Sequence, residues 1–126
     1  MTTFRDNLLV GKTAFVAGGT SGINLGIAKR FAELGAKVAV AGRDPDKAAR
    51  AAAEIGAGAI GLSADVRDYA AIRGAMEQVA DQLGPMDIVI SGAAGNFLAP
   101  ALGMSANAFR TVVDIDLNGT FNVFRG

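Results

Sequence analysis

Hydrophobic positions follow two alternating rhythms along this chain. Short uninterrupted apolar runs lie at 12–18 (KTAFVAG), 36–42 (AKVAVAG), 59–65 (AIGLSAD) and 86–92 (MDIVISG). Between them, apolar residues return every three or four positions: Ile23, Ile27, Phe31 and Leu34 within 23–35, and Ile72, Met76, Val79 and Leu83 within 68–84. Continuous runs predict strands covered on both faces, and the slower rhythm predicts amphipathic helices. The punctuation agrees. Gly35 stops the first helix. Asp44 caps a second over 44–56, Pro45 suits its first turn and Gly56 ends it. Gly84-Pro85 closes the third, and Ser105 caps a final helix over 106–124. The order is βαβαβαβα. Right-handed crossovers make that an α/β fold, a Rossmann-like doubly wound parallel sheet.

The length of 126 residues is one domain's worth. The last helix runs into FNVFRG with no cap and no following strand, so the fold reads as the first half of a larger α/β domain, apparently truncated. Phe121, Val123 and Phe124 are left without evident partners, and a homo-oligomer is expected.

Composition then excludes several classes. Twelve basic residues balance twelve acidic ones, which argues against nucleic acid or an anionic membrane as the main partner. Without cysteine there is no disulfide framework or thiolate metal site, and without histidine the commonest neutral-pH acid/base is missing. No metal site is expected. The opening MTTFRDNLLVGK holds no long apolar region, and no run reaches transmembrane length. The expectation is a cytoplasmic protein.

Candidate chemistry follows each strand, where open α/β sheets bind their ligands. After the first comes Gly18-x-x-x-Gly22-x-Asn24, with Thr20 and Ser21 between. Such a turn either cradles a phosphate at the next helix's N-terminus or simply makes a tight strand-to-helix connection. After the second, Gly42 leaves room and Arg43 brings a cation. This suits the 2′-phosphate of NADP (NADPH), with NAD less favoured, or a solvated arginine near a helix start. After the third, Asp65 and Val66 can contact an adenine, or Asp65 can cap a turn. After the fourth, SGAAGNF brings small residues that either let a cofactor lie against the backbone or allow close packing. Asp116 follows Val112 and Val113 on a largely apolar helix stripe. That spacing predicts a partly buried carboxylate, a costly state that marks functional sites, unless the helix rolls to expose it or a salt bridge satisfies it. Asp114, about 200° around the helix at ~3.6 residues per turn, is expected to be solvated.

Together GGTSGI, AGRD, ADVRD and DIVISGAAG resemble, in order and separation, the motifs of the short-chain dehydrogenase/reductase family. The stretch AAGNFLAPALGMSANAFRTVVDIDLNGTFNV is most similar to its 2,4-dienoyl-CoA reductase branch, especially the peroxisomal type. The resemblance implies an NADP-dependent oxidoreductase passing hydride to an unsaturated acyl-CoA thioester or a carbonyl substrate. It implies that Gly18, Thr20, Ser21, Gly22, Ile23 and Asn24 line the pyrophosphate and ribose. Arg43 would meet the 2′-phosphate, Asp65 and Val66 the adenine, and Gly92, Ala93 and Ala94 the adenosine ribose and cofactor bridge. Ala17, Asn24, and Ser91 with Gly92 depart from the usual residues. Asparagine at 24 would tolerate a left-handed backbone and could donate through its amide. Asp116 stands at the family's catalytic asparagine position. The family's tyrosine, with a lysine four residues on, belongs to the second half of the fold. Tyr69 and Arg73 imitate that spacing on the wrong helix, and arginine cannot replace a pKa-tuned lysine. The alternatives are a non-catalytic NADP-binding module and a structural fragment that binds nothing well.

Overall fold

The structure, a computed structural model, describes residues 4–94 and 99–126. Four strands pair in the order β3-β2-β1-β4: β1 (Thr13–Ala17), β2 (Lys37–Gly42), β3 (Ile60–Ser63) and β4 (Ile88–Ser91). Every pairing is parallel; Ala17 lies beside Ala41 on one side and Ser91 on the other. β1 is buried along its whole length, as its unbroken apolar run requires. The strand order reverses direction between β1 and β4, and this topological switch point opens a crevice beyond their carboxyl ends.

Helices cover both faces. On one, α1 (Gly22–Glu33) and α2 (Pro45–Ile55) pack Ala28 and Ala51 against Val16, Val38 and Val40. On the other, α3 (Tyr69–Leu83) packs Ile72, Ala75, Met76 and Val79 against Phe15, Ala39 and Leu62. Each of the large buried side chains contributes about 1.5–3 kcal/mol of transfer free energy. The caps expected at Asp44 and Ser105 form, and Asp68, for which no cap was expected, caps α3. Asp44 accepts from the Asp46 and Lys47 N–H groups, Asp68 from Ala71 and Ser105 from Ala108. The first-helix stripe needs one correction: Ile23 is 84% exposed, and Leu25, Ala28, Phe31 and Ala32 carry the packing face. Ile23 is the second residue of α1 and faces solvent.

The final helix is not one helix. α4 (Ala106–Val113) passes through a π-helical turn (Asp114–Asn118) into α5 (Gly119–Arg125). The Thr120 hydroxyl donates to the Asp116 carbonyl at 2.6 Å, and Asn118 donates to the Asp114 carboxylate at 3.2 Å. Such side-chain bonds compete with the regular backbone ladder, and the inserted turn resets which residues face the sheet. Val123 consequently reaches the core and is 1% exposed, contrary to the expectation that it lacks a partner; Phe121 and Phe124 do remain exposed. Among the described residues no helix is long and apolar enough to cross a membrane.

Candidate functional site

A cleft of about 450 Å³ lies at the switch point. Its walls come from the turns after all four strands. β1 sends Gly18, Thr20 and Ser21, and the first turn of α1 adds Asn24. β2 sends Arg43, the turn after β3 sends Asp65 and Val66, and the end of β4 sends Gly92, Ala93 and Ala94. Ten of the twelve residues assigned to a cofactor by sequence therefore share one cavity. Gly22 and Ile23 do not line it. Gly95, within the predicted small-residue motif, lies outside the described residues together with Asn96, Phe97 and Leu98.

The glycines of the first turn answer to different demands. Gly18 has φ +73°, and a Cβ added there would lie 2.5 Å from the Ala93 nitrogen and 2.7 Å from its Cα. The protein's own backbone excludes a side chain at that point. Gly22 has φ +61°, yet its added Cβ would meet nothing within 4 Å. There the turn needs a left-handed residue and leaves the space beside it open. Ser21, the N-cap of α1, is extended and makes no side-chain capping bond; no acidic residue occupies the first turn. A helix N-terminus without a side-chain cap, opening on a cleft, suits an anion by dipole and hydrogen bonding together.

Asn24 behaves differently from the expectation. It is a helical residue, not left-handed: the only non-glycine residues with positive φ among those described are Asn7 and Ala57. Its amide donates to the Gly92 carbonyl at 2.9 Å, tying the glycine-rich turn to the end of β4. A bond spanning 68 positions has no signature in local sequence.

The opposite wall carries charge. Arg43 is exposed and makes no ion pair among the described residues, and Lys47, from the first turn of α2, lines the same cleft. Sequence reading overlooked Lys47. Its place three residues after the Asp44 cap, one helical turn from Arg43, was the available signal. Asp65 is held by its neighbour: Arg67 Nη2 reaches one carboxylate oxygen at 2.7 Å, Nε lies 3.1 Å from the other, and the Arg67 N–H donates at 3.0 Å. These bonds to Arg67 hold the carboxyl below the ordinary carboxylate value, against the opposing pull of partial burial. Asp65 thus caps its own turn and faces the cleft at once.

Asp116 does not enter the cleft; its neighbour Ile115 does. The expected partial burial is corrected as well. Asp116 is exposed and Asp114 half-buried, because the π-helical turn changes the angular positions a regular helix would give. The Tyr69–Arg73 imitation dissolves into structural contacts. Arg125 lies 4.5 Å from the centre of the Tyr69 ring, and Arg73 pairs with Glu77 at 3.2 Å. Among the described residues no cluster of acidic side chains has the arrangement to hold a metal ion.

Comparison with known proteins agrees with this geometry. The family model for short chain dehydrogenase matches residues 12–126. The peroxisomal 2,4-dienoyl-CoA reductase of Pongo abelii is 46% identical over 127 residues, covering 97% of this chain and 43% of the relative. Its namesake in Arabidopsis thaliana is 42% identical over 123 residues, covering 95% and 41%. Among solved structures, a 3-ketoacyl-(acyl-carrier-protein) reductase from Brucella melitensis complexed with NADH superposes with a TM-score of 0.88 at 34% identity, covering 93% of this chain and 49% of that one. The chain thus spans about two fifths of the length of these curated relatives. With its parallel sheet, its switch-point cleft and this match along nearly its whole length, the chain belongs to the short chain dehydrogenase family of oxidoreductases.

Proposed function

We propose that the cleft binds NADP, and that the polypeptide to which these residues contribute reduces an unsaturated acyl-CoA thioester or a carbonyl compound. The observation that carries this reading is the pairing of two anion-seeking features across one cavity. The uncapped N-terminus of α1 suits a pyrophosphate, and Arg43 with Lys47 suits a further phosphate at the end of β2. The donor set of the cleft passes the test of fit: Gly18, Thr20, Ser21 and Asn24 line it at the N-terminus of α1, and Arg43 and Lys47 line it at the end of β2. When bound, the nicotinamide cofactor supplies the hydride. The chain's own residues do the rest of the binding work. Ser21 and the first turn of α1 present donors, Gly92 to Ala94 offer a wall of small residues, and Asp65 with Val66 receives an adenine. Asp116, on the π-helical turn beside Ile115, is assigned to the substrate end; π-turns recur at functional sites. Reduction of 2,4-dienoyl-CoA thioesters is named for the relatives in Pongo abelii and Arabidopsis thaliana, and the acyl-CoA substrate class is taken from them. Exposed Phe109, Phe121 and Phe124 support self-association.

The test is Arg43→Ala. NADPH and NADH are titrated against the chain by fluorescence. A charge-assisted bond to phosphate contributes about 1.5–3 kcal/mol, and the exposure of Arg43 puts it at the lower end. NADPH affinity falls about tenfold and NADH affinity stays within about twofold. Equal losses for the two would overturn the choice of NADP. Loss of dienoyl absorbance in any longer polypeptide containing these residues tests the substrate class.

A further inference from the structure

The turn that receives adenine in this reading is held from behind by a helix far along the chain. Val66 lines the cleft and is 6% exposed. Its carbonyl accepts from Asn122 Nδ2 at 2.8 Å, across 56 positions. One helical turn earlier, Gly119 is buried against the same residue; a Cβ there would lie 2.5 Å from Val66 Cγ2 and 3.1 Å from its Cβ. One position beyond Asn122, Val123 belongs to the same core cluster as Ala64 and Val66. Helix α5 is therefore seated on the Asp65–Val66 turn through Gly119 and Asn122, and of these two contacts only the Asn122 bond is directional.

From this contact we infer that Asn122 is the positioning residue of the cleft's adenine wall. It touches no ligand. It fixes the Val66 peptide, and with it the direction in which Asp65 faces the cavity. Arg67 ties the Asp65 carboxylate to its own turn; the Ala64 N–H joins the start of the turn to the Gly42 carbonyl at 2.9 Å, and Asn122 anchors the peptide that follows Val66. A carbonyl bonded to a side-chain amide on a packed helix holds one orientation. Without the donor, the Val66 carbonyl is part-buried and seeks another partner, and the peptide is released to rotate. The same helix continues from the π-helical turn, so the chain runs directly from Ile115 and Asp116 to the Asn122 contact.

The inference rests on the reading of the cleft as a nicotinamide dinucleotide site, and the experiment separates the two. The chain is titrated with NADPH, with its hypoxanthine analogue, which carries an oxo group where adenine has an amino donor, and with reduced nicotinamide mononucleotide, which lacks the adenosine half. Wild type binds NADPH about tenfold more tightly than the hypoxanthine analogue, because the analogue cannot donate to Asp65. Asn122→Leu keeps the side-chain bulk and removes the donor. It weakens NADPH about tenfold, brings the ratio between the two dinucleotides close to one and leaves the mononucleotide unchanged. A residue that merely supports the fold would lower the melting temperature and weaken all three alike. Asn122→Asp, equal in size and unable to donate when ionised, repeats the readout if the leucine variant does not fold. An unchanged ratio in folded variants, or loss of folding in both, overturns the positioning role. Absence of NADPH binding to wild type overturns the reading of the cleft and the inference with it.

Discussion

Gly18 and Gly22 look equivalent in sequence, and the structure predicts that they fail differently. Both are left-handed, so alanine at either costs about 1–2 kcal/mol in backbone conformation. At Gly22 that is the whole cost, since the added Cβ meets nothing within 4 Å. At Gly18 the Cβ would press on three backbone atoms of Gly92 and Ala93 at 2.5–2.7 Å. Neither side can yield freely. The Gly18 N–H is bonded to the Ala41 carbonyl at 2.8 Å, and the Gly92 N–H to the Ala17 carbonyl at 2.9 Å. Overpacking of this kind adds about 1–3 kcal/mol. Gly18→Ala is therefore expected to lose about 2–5 kcal/mol against 1–2 for Gly22→Ala, a large share of the stability of an ordinary domain. Urea unfolding of the ligand-free chain, followed by circular dichroism, measures both, with an unchanged m-value certifying that stability itself has moved. In melting temperature, each kcal/mol is about 3–5 °C at this size. Equal losses at the two positions would refute the argument that the protein's own backbone, rather than a ligand, demands the glycine at 18.

Two other substitutions probe the rest of the account. Arg67→Met removes the guanidinium that holds the Asp65 carboxyl below its ordinary value, so an NMR titration should find that carboxyl moved up. Because the native carboxyl is depressed, its stabilising share is present above the unfolded carboxylate pKa, near 4, and is lost as pH falls through the native value. The stability gap between wild type and variant should close on acidification below about pH 4; a gap independent of pH would exclude the Asp65–Arg67 bond as its source. Gly74 sits in the interior of α3, exposed, with nothing within 4 Å of an added Cβ, so Gly74→Ala should raise stability by about 1 kcal/mol in the same urea assay, and a loss would contradict that open environment.

The strands, the first three helices and the cleft's membership were legible because each depends on local rhythm. The runs at Phe15, Val38 and Val89, the caps at Asp44 and Ser105, and the turns after each strand all announce themselves within a few residues. What stayed hidden depends on partners far along the chain. Asn24 looks like a ligand donor until Gly92 arrives beside it, and Asn122 looks like a surface residue until the Val66 carbonyl does. The last helix misled for a related reason. A 3.6-residue period puts Asp116 on the apolar stripe, and one π-helical turn exposes it; Val123, without evident partners in a helix that no strand follows, packs into the core.

The central claim is that one cleft, at the carboxyl ends of four parallel strands, takes the whole dinucleotide. Amide chemical-shift mapping of the labelled chain during an NADPH titration tests it most directly. The account predicts saturable shifts concentrated at Gly18, Thr20, Ser21, Asn24, Arg43, Asp65, Val66 and Gly92 to Ala94. Shifts scattered over the surface, or gathered at the groove between α2 and α3 near Ala53 and Gln78, would contradict it.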